Sequence, residues 1–156
     1  MDQSKTVILG LGNAMMSDDG IGLIIVQKLA EQVHAPDLEF KVSEKVGLNL
    51  IELLLGYDRA IIIDSIITGE RAPGEIIECS LDDLPSSPRL RCPHDADFKS
   101  AVELARRTGL KMPEKILILG VEAVDIFNFT PDLSPQLAER MPEIVAEIST
   151  LIKSKL

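Results

Sequence analysis

Three side chains in this sequence have the types and positions that a divalent metal ion needs. Asp19 follows an apolar segment and a glycine-rich turn, Asp64 directly follows three consecutive isoleucines, and His94 comes after a long proline-containing loop. If both apolar segments are parallel strands of one sheet, the two carboxylates lie at the same edge, and the loop is long enough to bring the imidazole there. Two carboxylates and one imidazole form an oxygen and nitrogen ligand set for a transition-series divalent ion, with positions left for water or substrate.

A structural interpretation of the same residues stays open. In the stretch Val7 to Gly22, VILGLGNAMMSDDGIG, Ser17 would cap a helix. Asp18 and Asp19 would then complement the helix dipole, each contributing about 0.3–1 kcal/mol. A lone loop histidine such as His94 is also more often structural or exposed than a ligand.

Phosphate binding and nucleophilic catalysis fit the sequence poorly. The dinucleotide fingerprint needs a third glycine where Met15 stands, and Asp18 and Asp19 would meet a phosphate with like charge. Glu44 offers a partner for a ribose, but no second domain exists to hold the substrate of a dehydrogenase. A nucleophile elbow of the Gly-x-Ser-x-Gly type is absent, and only Cys92 lies near a possible base.

Composition predicts one globular domain, residues 1–156. The chain is 46% apolar, and its net charge of −9 comes with no basic run that would suit nucleic acid. The N-terminus does not resemble a signal peptide, and no segment approaches the roughly 20 apolar residues of a membrane helix. We therefore expect a cytoplasmic monomer that binds neither nucleic acid nor a membrane.

Hydrophobic periodicity predicts nine elements that position these side chains. The predicted strands are Thr6 to Leu11, Leu38 to Val42, Ala60 to Ile63, Gly74 to Cys79 and Lys115 to Val121. The predicted helices are Gly20 to Val33, Leu48 to Leu55, Asp97 to Arg107, and a last helix that starts after Ser134 with Pro135 at its first position and that Pro142 should kink or split.

The order of these elements predicts an α/β three-layer sandwich. A mostly parallel, five-stranded mixed sheet would carry helices on both faces. The strand Leu38 to Val42 alternates polar and apolar residues and suits a sheet edge. The strand Gly74 to Cys79 should be antiparallel, because the link that precedes it has no room for a helix. Asp64 should emerge at the carboxyl end of its strand, since a carboxylate is not buried unpaired.

A regulatory module is the alternative from a different class. Acidic doublets after the first strand and an aspartate ending the third also characterise phosphoacceptor receiver domains, where Asp64 would take the phosphoryl group and Mg²⁺ would sit on the doublet. Two details disagree with a receiver. A long linker separates the first strand from the doublet, and Gly120, Val121 and Glu122 stand where a receiver has a lysine.

The sequence resembles the nickel-iron hydrogenase maturation endopeptidases. The match covers nearly the whole chain and rests on a combination of motifs that is specific although each motif alone is not: GLGNAMMSDDGIG, IIIDSI, PGEII, CPH, LGVE and LSPQL. Members of this family are three-layer α/β proteins that remove a C-terminal extension from the hydrogenase large-subunit precursor after nickel has been inserted.

The resemblance implies a role for each candidate residue. Asp19, Asp64 and His94 would be both the catalytic residues and the nickel-contacting residues, while Asp18 would be a helix-end residue. The partner would be the nickel-loaded precursor. The nickel would be carried by this substrate, with other divalent transition metals as possible substitutes, and would serve first as a recognition element.

Overall fold

A five-stranded sheet organises the part of the chain that the computed structural model describes, residues 4–81 and 98–156. Its strands are β1 (Thr6–Leu11), β2 (Leu38–Ser43), β3 (Arg59–Ile66), β4 (Ile76–Cys79) and β5 (Lys115–Glu122). The α-helices are α1 (Ile21–Gln32), α2 (Ile51–Leu54), α3 (Phe98–Arg107) and α4 (Pro135–Lys155). Short 3₁₀ helices, Ser17–Gly20 and Gly47–Leu50, lead into α1 and α2.

The strand order confirms the predicted topology. The strands lie in the order β2-β1-β3-β5-β4. All neighbours are parallel except β4, which pairs with β5 in the antiparallel direction. β2 is an edge strand, as its alternating pattern predicts. The carboxyl ends of β1, β3 and β5 consequently meet at one edge of the sheet, which is the edge where ligands bind in open α/β sheets.

Helices cover both faces of the sheet and give two separate cores. One face packs against α1 and α4 through Ile8, Ile61, Ile63, Leu119 and Val121. The other packs against α2 and α3 through Val7, Leu9, Leu11, Ala60, Ile62 and Ile118. Successive strand residues alternate between these cores, as the period of a β-strand requires. The predicted three-layer sandwich is therefore confirmed.

The predicted end of the third strand and the predicted split of the last helix are both wrong. Asp64 does not end its strand, because β3 continues to Ile66, and Asp64 is fully buried. The last helix is not split at Pro142, since α4 runs unbroken past it. Leu137 and Ile144, on either side of that proline, are both buried against the same sheet face. This packing offsets the roughly 3 kcal/mol that an interior proline costs a helix. Among the described residues, no helix combines the length and apolar character needed to cross a membrane.

The start of α1 lies unusually close to the sheet. A Cβ atom built on Gly22 would be 2.3 Å from the carbonyl oxygen of Leu11 and 2.5 Å from that of Ile63. A Cβ atom on Gly12 would be 2.4 Å from the carbonyl oxygen of Asp19. These glycines let the backbone of the turn and helix approach β1 and β3, which brings Asp19 to the carboxyl edge.

Candidate functional site

Asp19 and Asp64 meet at the carboxyl edge of the sheet through Ser65. The Ser65 hydroxyl donates a hydrogen bond to Asp19 Oδ1 at 2.8 Å. The Ser65 backbone N–H donates to Asp64 Oδ1, also at 2.8 Å. All three residues are at most 5% exposed. One residue of β3 therefore fixes the orientation of both carboxylates, which are 45 positions apart in the sequence.

The two carboxylates come to this edge from opposite faces of the sheet. Asp64 has the same strand parity as Ile62, which packs against α2 and α3. Ser65 has the parity of Ile63, which packs against α1 and α4. Asp19 belongs to the 3₁₀ helix that leads into α1. Carboxylate oxygens from the α1/α4 face and from the α2/α3 face therefore lie at the same end of β3.

His94, the third predicted ligand, and Cys92 lie outside the described residues. His94 precedes Phe98, the first residue of α3, by four positions in the sequence. Within residues 4–81 and 98–156, no group of three His, Cys, Asp or Glu side chains is arranged to hold a metal ion. The described part of the site is thus a pair of carboxylates, whose oxygens suit a divalent cation.

Asp18 has a role that the sequence did not indicate. Its Oδ2 accepts hydrogen bonds from the backbone N–H groups of Val124 and Asp125, both at 2.9 Å. Its Oδ1 accepts one from the N–H of Ser134 at 2.7 Å. Asp18 is fully buried. The expectation of a helix-end residue is therefore incomplete, because this carboxylate binds the start of the loop that follows β5 and the residue directly after that loop.

Backbone hydrogen bonds connect that loop, residues 123–133, to the segment that carries Asp19. We call it the aromatic loop, because it contains the exposed Phe127 and Phe129. Backbone hydrogen bonds connect Ser17 N–H to the Thr130 carbonyl at 2.8 Å and Thr130 N–H to the Met15 carbonyl at 2.9 Å. The loop and the acidic turn therefore form one hydrogen-bonded unit at the edge of the sheet.

Two further polar residues hold the turns around this edge. The Ser17 hydroxyl donates to the Asp132 carbonyl at 3.0 Å, so Ser17 is not the helix cap that the structural interpretation expected. Its φ of 51° is positive, which is uncommon for a residue other than glycine and marks local strain. Glu44 accepts a hydrogen bond from the Ala14 N–H at 2.9 Å. Glu44 therefore supports the turn that precedes Asp19.

The end of β5 is also tied to the chain that follows β3. Glu122 is 2% exposed, and its carboxylate accepts hydrogen bonds from the backbone N–H and the hydroxyl of Thr68. Glu122 thus fixes the path of the chain immediately after the strand that carries Asp64.

Removing the Asp18 carboxylate should destabilise the protein. In Asp18→Ala, three backbone N–H groups lose a charged acceptor, and we expect a loss of about 3 kcal/mol. For a chain of this size each kcal/mol lowers Tm by about 2–4 °C, so Tm should fall by roughly 6–12 °C. Thermal unfolding measures this fall, and amide hydrogen exchange should accelerate at Val124, Asp125 and Ser134.

The matched control for Asp18→Ala is Glu31→Ala, which removes an exposed acid from α1. Its Tm should stay within about 2 °C of the wild type, because surface changes usually alter stability by no more than about 0.5 kcal/mol. An Asp18→Ala protein as stable as the Glu31→Ala protein would contradict the anchoring role of Asp18.

No expectation from the sequence included the contacts of Asp18 and Ser65. Asp18 binds amides that lie 106 to 116 positions later, and no local pattern encodes such a contact. Ser65 did carry a signal, because a serine directly after Asp64 at a predicted strand end places a donor beside that carboxylate.

Comparisons with known proteins agree on one family. The family model for HycI, described as hydrogenase maturation protease, matches residues 23–151. The Hydrogenase 2 maturation protease of Escherichia coli K12 is 24% identical over 149 residues, which cover 92% of this chain and 90% of that protein. The hydrogenase expression/formation protein HupD of Rhodobacter capsulatus is 24% identical over 147 residues, covering 92% and 69% respectively.

The fold has a counterpart among solved structures. The hydrogenase maturating endopeptidase HybD from E. coli superimposes with a TM-score of 0.75 at 21% sequence identity, covering 97% of this chain and 93% of that one. The sheet, its helices and the edge that carries the two aspartates thus belong to a fold that a maturating endopeptidase uses. Because the family match spans most of the sequence, this chain belongs to the hydrogenase maturation protease family.

Proposed function

We propose that this protein removes the C-terminal extension of a nickel-iron hydrogenase large-subunit precursor after nickel insertion, and that it recognises the nickel through Asp19, Asp64 and His94. The observation that carries the proposal is the meeting of Asp19 and Asp64, two nearly inaccessible carboxylates from separate elements, on either side of Ser65. Family membership supports the activity, and the carboxylate pair supports the mode of recognition.

The donor set fits a divalent transition-metal ion presented by a substrate. Asp19 and Asp64 provide anionic oxygens, and Ser65 holds one oxygen of each at a fixed orientation. His94 would add a nitrogen donor. Nickel held by the precursor supplies positive charge at this edge. The role of the chain's own residues is to bind that charge and so to orient the precursor for cleavage.

The charges of the site explain why processing would wait for nickel. Two carboxylates that share a poorly solvated site repel each other, and a divalent cation between them removes that cost. A precursor without nickel lacks the attraction that a divalent cation adds at this pair of carboxylates. The same contact therefore favours the loaded precursor over the empty one, which is how a binding site achieves specificity.

The family match favours this proposal over the receiver-like alternative. A receiver would place Mg²⁺ on Asp18 and Asp19. Both oxygens of Asp18 instead accept backbone N–H groups, so Asp18 is committed to the aromatic loop.

A metal titration with the His94→Ala variant tests the recognition site. We expect the wild-type protein to bind one equivalent of Ni²⁺ or Co²⁺, observed by absorption spectroscopy for Co²⁺ and calorimetry for Ni²⁺. His94→Ala should bind at least about tenfold more weakly, because one donor is lost. Excess Mg²⁺ should not displace the transition metal, since imidazole is a poor ligand for magnesium.

A cleavage assay provides the second arm. Wild-type protein should trim the nickel-loaded large-subunit precursor from the same organism and leave the nickel-free precursor intact, whereas His94→Ala should trim neither. Cleavage of both precursors at equal rates would exclude nickel recognition. Tight Mg²⁺ binding that is indifferent to His94, without cleavage of either precursor, would instead favour the receiver.

A further inference from the structure

The aromatic loop presents two large apolar side chains to solvent beside the carboxylate pair. Phe127 is 79% exposed and Phe129 is 77% exposed, the two highest values among the exposed large apolar side chains of the described residues. Val124 in the same loop and Met15 in the facing turn are also exposed. Neighbouring exposed apolar residues of this kind are characteristic of surfaces that bind a partner.

The backbone that carries the two rings is held in place. Asp125 Oδ1 accepts hydrogen bonds from the N–H groups of Phe127 at 2.9 Å and Asn128 at 3.1 Å. These bonds lower the pKa of the Asp125 carboxyl, so its charged form maintains the turn at neutral pH. Asp18 binds the chain just before this turn, and Thr130 pairs with Met16 just after it. The loop therefore presents its rings on a fixed backbone.

A fixed backbone with exposed rings is the arrangement expected of a preorganised binding surface. Ordering a loop and its side chains on binding costs free energy, and a loop that is already ordered avoids part of that cost. Aromatic side chains dominate the energetic centres of protein interfaces. A fully covered phenylalanine buries about 150–250 Å², so two rings supply a large part of the roughly 800 Å² that one partner contributes to a stable complex.

The position of the aromatic loop favours the substrate of the carboxylate site as its binding partner. The Asp18 N–H donates to the Asp125 carbonyl at 2.9 Å, so the loop directly contacts the residue that precedes Asp19. A protein that places a metal ion against Asp19 therefore comes close to this loop. The loop's acidic side chains, Asp125 and Asp132, bond within the loop itself. Val124, Phe127 and Phe129 give the loop an apolar area beside these polar groups, and this area adjoins the edge that carries the carboxylates.

We propose that Phe127 and Phe129 form the docking surface for the hydrogenase large-subunit precursor, where they insert into an apolar surface next to its nickel site. This inference rests on the proposed function and deepens it, because it separates two contributions to recognition. The aromatic loop contributes affinity for the precursor whether or not nickel is present. The carboxylates then distinguish the loaded precursor from the empty one.

The test uses the double variant Phe127→Ala/Phe129→Ala and a matched control, Leu110→Ala/Leu156→Ala. The control truncates two apolar residues that are about half exposed. Both lie far from the aromatic loop, because the carbonyl groups of the adjacent Lys111 and Lys155 accept hydrogen bonds from Gly56 and Arg59 at the opposite edge of the sheet. Both proteins should keep the wild-type Tm within about 2 °C, because the substituted side chains are exposed.

Binding of the nickel-free precursor isolates docking from metal recognition. We expect the phenylalanine double variant to raise the Kd for immobilised nickel-free precursor at least about tenfold and the leucine control to change it less than twofold. With nickel-loaded precursor, the phenylalanine variant should raise KM and leave kcat within about twofold.

Each other outcome overturns the inference in a distinguishable way. Wild-type and phenylalanine-variant proteins that bind and cleave equally would exclude the docking surface and leave the proposed function standing. Equal losses in the leucine control would show that the effect is not specific to the loop. A wild-type dimer that dissociates in the phenylalanine variant would assign the rings to self-association. A wild-type protein that neither binds nor cleaves the precursor would exclude the proposed function itself.

Discussion

Replacing Asp19 with asparagine should slow cleavage of the nickel-loaded precursor at least about 100-fold, a loss of about 2.7 kcal/mol in transition-state stabilisation. The substitution removes a negative charge from the metal-facing pair and keeps an oxygen that accepts the Ser65 hydroxyl. Asp64→Asn should have the same effect, because its oxygen can still accept the Ser65 N–H. A quantitative processing assay with purified precursor measures both rates.

Stability separates a functional loss from a structural one in these variants. Each asparagine variant keeps the shape of the side chain and an oxygen that accepts from Ser65, so its Tm should stay within about 4 °C of the wild type. Asp37→Asn, just before β2 and therefore at the opposite edge, serves as the control and should keep the wild-type rate. An Asp19→Asn protein that cleaves within threefold of the wild type would refute the role assigned to this carboxylate.

Replacing Gly22 with alanine should lower both the stability and the activity of the protein. The new methyl group would lie within 2.5 Å of two backbone carbonyl oxygens, those of Leu11 and Ile63, and neither can move without displacing a strand. We expect a loss of about 3 kcal/mol, which corresponds to a fall in Tm of roughly 6–12 °C. Because α1 must shift away from the sheet, Asp19 should also separate from Ser65, and cleavage should fall at least about tenfold at temperatures where the variant is folded.

Gly56→Ala is the control that separates overcrowding from backbone strain. Gly56 has a φ of 88°, but a Cβ atom there would meet nothing within 4 Å. Its alanine variant should lose only the roughly 1–2 kcal/mol that a left-handed conformation costs, with cleavage within twofold of the wild type. A Gly22→Ala protein no less stable than Gly56→Ala would show that the close approach of α1 to the sheet is not required.

The fold was predictable because its signals are local. β1 is a nearly continuous apolar run and lies in the interior of the sheet, whereas β2 alternates and lies at its edge, as the two patterns require. The short link before β4 indicated its antiparallel direction correctly, since a parallel pairing needs a longer crossover. Gly56 and Gly109 both adopt the positive φ expected after a helix.

The site was predictable only in part, because its contacts join distant segments. The convergence of Asp19 and Asp64 follows from parallel strands and was foreseen. The full burial of Asp64 was not foreseen. It depends on the Ser65 N–H as a donor, and Ser65 belongs to an extension of β3 that the polar residues Asp64 and Ser65 made hard to recognise as strand. The positive φ of Ser17 depends on hydrogen bonds to Thr130 and Asp132, and its own neighbours give no indication of it.

The three amides that bind Asp18 also determine when the edge can form during protein synthesis. Asp18 leaves the ribosome well before its partners, which extend to Ser134, 116 positions later. Contacts of such sequence separation form late, because the intervening chain must first be closed into a loop. A nascent chain can therefore have its first strands and α1 in place while Asp18 still lacks its three backbone N–H donors. The segment that carries Asp19 reaches its final form only after Ser134 has been synthesised.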